Sequence, residues 1–427
     1  MKRFASKLFS KLTIGATIII LQFGWFVYLV YSAKRSSSAA NMALEVVAVA
    51  LALYIANKDI RTSYKMSWIF LVLFLPIFGI PAYFLFGHSE LTKRTRRKME
   101  AVSDKVAEYR VEDRKTIEAL QQDDFYAFQQ SYYISSKAGY PIYKEENSNY
   151  YSSGEKVYPQ LLADLESAEH FIFLEYFIIE QGKMFDPIVD ILERKAKEGV
   201  QVRLIYDDVG CIQTLPPKFY QVLQAKGIHC ACFNPFRPVL SIIMNNRDHR
   251  KITVIDGKIA YTGGFNLADE YINEKTKFGY WKDAGIRLTG ACVWNFTSMF
   301  LEMWDYITKS RDDYAFYRKA SIPELGKSVE QSIEMEIEKE PQIFGPGYVQ
   351  PYCDSPLDHE DVGENVYLNL IEHAKHYVYI FTPYLIIGSE MATALVNAAK
   401  CGVDVRIVVP GVPDKKLVYL LTQANFA

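Results

Sequence analysis

The stretch RDHRKITVIDGKIAYTGGFN, Arg247 to Asn266, decides the fold of this 427-residue chain and concentrates its chemistry. Residues 250–262 alternate in polarity and are rich in β-branched side chains around Asp256–Gly257, the strongest short signal for a β-hairpin. Because residues two apart on a strand project from the same face, His249 and Lys251 are predicted to point into one pocket.

An imidazole beside an ammonium group suits phosphoryl transfer. The histidine can attack phosphorus or transfer a proton, while the lysine holds a phosphate oxygen. Other residues of the stretch have two interpretations each. Asp256 is either a direct contact or part of the turn, since Asp-Gly is favoured in tight turns. Gly263 and Gly264 either let the backbone approach a phosphate closely or are plain turn residues.

Three hydrophobic segments near the N-terminus predict a membrane protein. Leu12–Ser32 is uncharged and too long for a cleavable signal peptide, and Ala39–Asn57 and Ser67–Gly87 follow it. With three full spans, the Lys and Arg counts balance on the two sides. If the third segment, which contains two prolines, is re-entrant or interfacial, the positive-inside rule favours two spans. We therefore expect a multi-pass protein of the cell membrane whose large domain faces the cytoplasm.

Charge is divided unevenly along the chain. Residues 1–110 hold 16 of the 48 Lys and Arg but only 6 of the 50 Asp and Glu, so the remainder is acidic. A basic juxtamembrane region suits an anionic bilayer, whereas an acidic domain is a poor match for nucleic acid. The six cysteines form no CxxC pair and have no zinc-like spacing with histidine, which predicts no metal or other cofactor and a reducing compartment.

Two strand–helix–strand patterns predict an internal duplication. HFIFLEYFII at residues 170–179 resembles HYVYIFTPYLII at 376–387, and the junction Gly-Val-x-Val-Arg recurs at 199–203 and 402–406. The predicted divisions are a membrane-anchoring region at 1–90, a basic helical linker at 91–140, a first repeat at 141–320, a linker at 321–345 and a second, incomplete repeat at 346–427.

The second repeat is expected to be incomplete because its histidine motif is missing. His249 follows Gly199 by fifty residues, and the same offset in the second repeat passes Ala427. His373-Ala374-Lys375 fits HxK, but no aspartate or glycine pair follows at the required spacing, so we interpret it as a helix end. We therefore expect residues 1–427 alone to be inactive.

The pattern HxKxxxxD followed by GGxN resembles the motif of the phospholipase D superfamily. The hydrophobic run MSWIFLVLFLPIFGIPAYFLFG and the segments LEYFII, NNRDHRK, YWKDAGIRL and FTPYL are similar to those of bacterial cardiolipin synthases. The resemblance implies N-terminal transmembrane helices and a duplicated phospholipase D-like α/β domain with one motif in each repeat. It also implies that one histidine attacks phosphatidylglycerol, forming a phosphohistidine and releasing glycerol. The other would protonate the leaving alkoxide and then deprotonate a second phosphatidylglycerol, giving cardiolipin without a metal.

By this resemblance His249 is the nucleophile, or otherwise the acid and base, and Lys251 and Asn266 bind phosphate. Glu175, on the LEYFII strand, is either a pocket residue or an ion-pair partner in the core. Two other functions remain open: a membrane-bound phospholipase D or phosphatidyltransferase using another alcohol, and a non-catalytic scaffold that binds anionic lipid. The oligomeric state is left open.

Overall fold

The computed structural model describes residues 24, 38–87, 91–145, 148–236, 246–321, 347–357 and 360–426. The chain divides into two compact units. The first comprises residues 1–94 and 234–247, and the second comprises residues 95–233 and 248–427. The hydrophobic segment predicted at Leu12–Ser32 lies, apart from Gly24, outside the described residues.

The described part of the first unit contains the helices α1 (Ser38–Ala56), α2 (Thr62–Phe74) and α3 (Pro76–Phe86). The predicted segment Ser67–Gly87 is thus broken at Pro76, because proline disfavours helical geometry in the residue before it. The three helices share a small apolar core, in which the rings of Trp68 and Tyr83 meet edge to face at 5.4 Å.

Over the described residues, none of the helices combines the length and the apolar character needed to cross a bilayer.

The rest of the chain forms an α/β unit. Its helices are α4 (Lys93–Ala107), α5 (Arg114–Asp123), α6 (Phe125–Ala138), α7 (Gly154–Glu166), α8 (Phe185–Lys197), α9 (Phe219–Ala225), α10 (Val293–Thr308), α11 (Tyr314–Ser321), α12 (Val362–Glu372), α13 (Ser389–Lys400) and α14 (Lys416–Gln423). Its strands are β1 (Tyr143–Glu145), β2 (Ser148–Tyr151), β3 (Phe171–Tyr176), β4 (Gln201–Asp207), β5 (His229–Phe233), β6 (Ile252–Ile255), β7 (Ile259–Gly263), β8 (Gly285–Thr289), β9 (Gly347–Val349), β10 (Tyr377–Phe381) and β11 (Asp404–Val408).

A mixed seven-stranded sheet is the centre of this unit, with the strand order β2-β8-β7-β6-β3-β4-β5. Strands β3, β4 and β5 are parallel, and β6 joins β3 in antiparallel orientation. Both faces of the sheet are covered, as expected for an α/β layer structure. On β3, Ile172 and Leu174 belong to one core, and Phe171 and Phe173 belong to the other. The mixed α/β fold predicted from the sequence is therefore confirmed.

The two predicted strand–helix–strand repeats have the same local geometry. In each, parallel strands flank one helix, and the first register pairs Phe171 with Gln201 and Tyr377 with Asp404. Gly199 and Gly402 end the helices with φ of 96° and 95°, a conformation that favours glycine. The shared junction in the sequence thus reflects one helix-to-strand turn used twice.

The predicted hairpin is confirmed. Strands β6 and β7 are antiparallel, and Lys258 N donates to Ile255 O at 3.0 Å across the turn. Asp256 and Gly257 both have positive φ, 51° and 66°, as the central residues of a type I′ turn require. Strand β6 begins at Ile252, so residues 249–251 form the segment that leads directly into it.

Candidate active site

His249 and Lys251 lie together, as predicted, but immediately before β6 rather than on the predicted strand. Lys251 Nζ is 3.2 Å from His249 Nδ1 and donates to the His249 carbonyl at 2.6 Å. Lys251 is buried, with 6% of its surface exposed, whereas His249 is open to solvent. The Phe177 ring supports both: its centroid is 4.7 Å from the imidazole centroid and 5.6 Å from Lys251 Nζ.

The surroundings favour a neutral imidazole. Partial burial lowers the pKa of His249 to about 4, and the Lys251 ammonium adds to the effect, while Asp248 opposes it. Burial likewise lowers the pKa of Lys251 to about 8, against the opposing charges of Asp248 and Asp283. At neutral pH His249 is therefore unprotonated and most of Lys251 is still a cation.

The glycine pair permits a close approach between neighbouring strands. A β-carbon at Gly263 would collide with the Ala284 carbonyl, and one at Gly264 would collide with the Asp283 carboxylate. Gly264 N also donates to Ala284 O at 3.2 Å. The glycines therefore hold the start of β8 against the end of β7; a phosphate contact by their backbone stays a prediction.

Asp283 is a site residue that the sequence reasoning did not select. Its charge acts on Lys251, and burial raises the pKa of its own carboxyl. The available signal was its place in YWKDAGIRL, just before β8, since Gly263 pairs with Gly285 in the sheet. Because the partner strand was not evident from the sequence alone, the approach of Asp283 to Lys251 was not either.

The side chain of Asn266 makes hydrogen bonds within the protein. Its Oδ1 accepts from Ile178 N at 2.9 Å, and its Nδ2 donates to the Tyr271 hydroxyl at 2.7 Å. Only 3% of the residue is exposed. It thereby joins the segment after β3 to the segment after β7, and its predicted role in binding phosphate is not tested by these contacts.

Asp256 lies at the opposite end of β6 from His249. It is five positions after Lys251 in the sequence, roughly 16 Å along an extended chain. Its carboxylate accepts three backbone N–H groups, from Glu169 at 2.8 Å and from His170 and Phe171 at 2.7 Å. The structure does not bring it together with the histidine, and these bonds match the turn interpretation.

We expect Asp256→Asn to destabilise the protein without touching the site. The amide replaces one acceptor oxygen with a donor facing backbone N–H groups, so the free energy of unfolding should fall by roughly 2 kcal/mol or more, measured by chemical denaturation. Asp269→Asn is the matched control, because its carboxylate accepts one backbone donor, Met184 N at 2.9 Å. If Asp256→Asn had normal stability but no transfer activity, Asp256 would instead be a catalytic residue.

Glu175 is fully buried, and its Oε1 lies 2.6 Å from Nη2 of Arg250. Arg250 also contacts Asp248, Nε to Oδ1 at 3.0 Å. The side chain of Glu175 thus contacts the residue between His249 and Lys251, these contacts match the core alternative from the sequence, and a role in the pocket stays a prediction.

A loop of the second repeat approaches the site. The Tyr384 hydroxyl donates to Asp414, and Lys415 Nζ lies 5.3 Å from the centre of the Tyr384 ring. Exposed Lys415 is close enough to contribute to the lowered pKa of His249. The sequence reasoning missed Lys415. The position of Lys415 in the sequence could have indicated a site residue. The loop follows β11 at the carboxyl end of a parallel strand pair, where α/β proteins commonly bind ligands.

The second HxK sequence does not form a site. His373 follows the last residue of α12, its Nδ1 lies 2.8 Å from the Asn369 carbonyl, and its ring packs on Tyr126 at 4.6 Å. The interpretation of this segment as a helix end is confirmed.

Two family models match the chain. The one described as cardiolipin synthase, PLD-like domain, matches residues 161–280 and 367–426. The one described as phospholipase D-nuclease N-terminal matches residues 46–88. The first covers the strand–helix–strand unit and the hairpin of the first repeat, together with most of the second repeat.

Curated relatives align over most of the chain. The major cardiolipin synthase ClsA of Bacillus subtilis is 32% identical over 384 residues, 88% of this chain and 75% of that protein. A cardiolipin synthase of Alkalihalophilus pseudofirmus is 30% identical over 386 residues, 90% of this chain and 72% of that protein. An uncharacterised protein of Streptococcus mutans is 40% identical over 380 residues, 88% of this chain and 77% of that protein.

Proposed function

The chain belongs to the cardiolipin synthase family of phospholipase D-like phosphatidyltransferases, and from this membership we propose how its residues carry the reaction. The substrates are two molecules of phosphatidylglycerol, and the products are cardiolipin and glycerol. The observation that carries the assignment of the site is a neutral, accessible imidazole 3.2 Å from a buried ammonium group.

His249 is the nucleophile in this proposal. Its Nε2 attacks the phosphorus of the first phosphatidylglycerol, a P–N bond forms, and the bond to the glycerol oxygen breaks. A pKa of about 4 supports this role over that of general acid, because an acid must hold its proton at working pH. The hydroxyl of the second phosphatidylglycerol then displaces the histidine and restores the imidazole.

Lys251 changes partner during the reaction. In the resting site its ammonium faces His249 Nδ1, which places the imidazole proton on Nε2 and blocks attack. A phosphate oxygen is a better partner for the ammonium than a neutral imidazole. Substrate binding thus draws Lys251 from Nδ1, solvent water takes the proton from Nε2 and returns one to Nδ1, and Nε2 becomes free to attack. The proton transfers at the two alcohols belong, by the family resemblance, to the histidine of a second motif.

Product analysis tests the proposal. Purified protein in which both histidine motifs are present is supplied with phosphatidylglycerol labelled in its phosphate, in mixed micelles, with and without added serine or ethanolamine. The proposal expects labelled cardiolipin and equimolar glycerol in every mixture. Phosphatidic acid as the main product would indicate a phospholipase D, and a serine or ethanolamine phospholipid would indicate another acceptor. Lipid binding without any labelled product or labelled protein would indicate a scaffold.

Lys415 supplies a second cation for the substrate phosphate in this proposal. Replacing it with glutamine should raise KM for phosphatidylglycerol about tenfold, because a charged hydrogen bond to phosphate is worth about 1.5 kcal/mol. It should also raise the pKa of His249, since Lys415 helps to lower it. Steady-state kinetics and the pH midpoint of His249 modification by diethylpyrocarbonate measure the two effects. Lys416→Gln is the neighbouring control; equal effects from both variants would contradict a specific role.

We further propose that the protein is held at the membrane with its catalytic unit on the cytoplasmic side. The beginning of α4 carries exposed Lys93, Arg94, Arg97 and Lys98, whereas half-buried Arg96 donates to the carbonyls of residues 356 and 357 at 3.0 Å. Exposed basic groups of this kind attract anionic headgroups, each contributing about 1 kcal/mol.

Glutamine at these four exposed positions should weaken association with phosphatidylglycerol vesicles and flatten its dependence on salt. Flotation of vesicles at low and high ionic strength measures this. Arg96→Gln is the comparison, because it removes a charge that is already engaged within the protein. An undiminished salt dependence in the fourfold variant would exclude α4 as the lipid-contacting segment.

A further inference from the structure

A compact group of buried charges lies behind the His249–Lys251 pair. We propose that Glu175 and Asp248 share one proton, carried by Glu175, and that this pair together with Arg250 fixes the position of His249 and Lys251. We call the three residues the Glu175 cluster. The inference deepens the proposed function and rests on its assignment of His249 and Lys251 to the active site.

Two buried carboxyl groups contact one positive charge in this cluster. The side chains of Glu175 and Asp248 are 0% and 2% exposed, and both contact the single guanidinium of Arg250, at 2.6 and 3.0 Å. Apart from the contact with Arg250, neither side-chain oxygen of Glu175 has a hydrogen-bond partner among the described residues. Two ionised carboxylates on one guanidinium repel each other strongly where water is excluded, and buried carboxylate oxygens without donors are costly unless a proton neutralises one of the groups. One of the two is therefore protonated.

In this proposal the shared proton is bound to Glu175 rather than to Asp248. Burial, followed by the charge of Asp248, raises the pKa of Glu175 well above its ordinary value, against the opposing effect of Arg250. Burial also acts to raise the pKa of Asp248, but the charge of Arg250 and its hydrogen bonds to Oδ1 hold it below its ordinary value. Asp248 Oδ2 is buried and has no donor among the described residues. A proton on Glu175 supplies that donor and leaves the cluster neutral.

Arg250 connects the cluster to His249 and Lys251. Arg250 stands between His249 and Lys251 in the sequence, and its side chain joins Glu175 on the face of the sheet that Phe171 and Phe173 also occupy. In the β3–β6 ladder Glu175 pairs with Ile252. Fixing Arg250 on this face turns the neighbouring side chains toward the other face. The cluster thereby holds the backbone that sets the 3.2 Å separation of Lys251 Nζ and His249 Nδ1.

Buried groups on neighbouring elements surround the cluster. Cys353 Sγ lies 3.9 Å from Arg250 Nη1 and 3.0 Å from the Tyr140 hydroxyl. Burial raises the pKa of both the Cys353 thiol and the Tyr140 hydroxyl, so each is neutral at physiological pH. Nearby charges are Lys251, on which the charge of Asp248 acts, and the Asp207 carboxylate, which accepts from Asp248 N at 3.1 Å. Arg110 and Glu302 neutralise each other in an ion pair of 2.7 Å.

Isosteric amides distinguish the two carboxyl groups. A raised pKa in the folded state stabilises the protein only at low pH, and that stability is lost as the pH rises above the ordinary value of 4.5. The Tm of Glu175→Gln, relative to wild type, should therefore increase from pH 5 to pH 8 by about 2 °C or more. Asp248→Asn removes the charge that balances Arg250, so its Tm should be lower than that of wild type throughout. An equal, pH-independent loss in both variants would show that Glu175 is ionised.

Modification of His249 by diethylpyrocarbonate, followed by mass spectrometry, tests the positioning role. The pH midpoint for His249 should stay near 4 in Glu175→Gln, whereas in Glu175→Ala it should move toward the ordinary 6.5 as Lys251 and His249 separate. A Glu175→Ala protein with cooperative unfolding and an unchanged midpoint would overturn the positioning role. Neither measurement requires lipid turnover, so failure of the proposed function, seen as missing labelled product in wild type, is recognised separately.

Discussion

His249→Ala is expected to abolish both phosphatidyl transfer and the labelled covalent protein. In the proposed function the neutral imidazole is the nucleophile, and alanine leaves no group that can form the P–N bond. Removal of a triad nucleophile in other enzymes costs about a millionfold in kcat, so no product above background is expected. The measurement is incubation with phosphate-labelled phosphatidylglycerol, rapid denaturation and detection of an acid-labile, base-stable label on the protein.

His373→Ala is the matched control for this experiment. It removes the histidine of the other HxK sequence, whose ring packs against Tyr126 at the end of α12. Label and product should be unaffected in that variant. Cardiolipin formation at a near-normal rate by His249→Ala would show that the site lies elsewhere, and label that persists without turnover would assign His249 to proton transfer instead.

The local sequence pattern predicted what depends on neighbours in the chain. The Asp256–Gly257 turn, the pairing of His249 with Lys251 and the recurring helix-to-strand turns at Gly199 and Gly402 are all set within a few residues, and the structure contains them. The break at Pro76 in the third hydrophobic segment also follows from local backbone geometry.

What the sequence did not predict depends on contacts between distant segments. Asp256 reaches backbone groups more than eighty positions away, and Lys415 approaches His249 only because two repeats fold into one unit. Asp283 reaches Lys251 through the strand order of the sheet. No periodicity or spacing encodes such pairings, since each requires knowledge of which strand or loop lies beside which.

Lys251→Ala is expected to lower kcat by at least a hundredfold. In the proposed function the ammonium stabilises the charge that develops on the phosphate oxygens, and loss of one such group typically costs roughly 3 kcal/mol. Because Lys251 also lowers the pKa of His249, the midpoint for modification of the histidine should rise toward 6.5. A loss of turnover together with this shift separates an effect within the site from general unfolding.

Because the pKa of Lys251 is lowered, we expect kcat/KM to depend on pH in the alkaline range. With a pKa of about 8 rather than 10.5, the free enzyme loses this cation as the pH rises through 8. The value of kcat/KM for phosphatidylglycerol should therefore fall about tenfold for each further pH unit. Lys251→Arg carries a charge that does not titrate in this range, so it should be slower than wild type but lack the alkaline decline. The same decline in Lys251→Arg would mean that another group titrates, and the role of Lys251 as the phosphate-binding cation would then have to be abandoned.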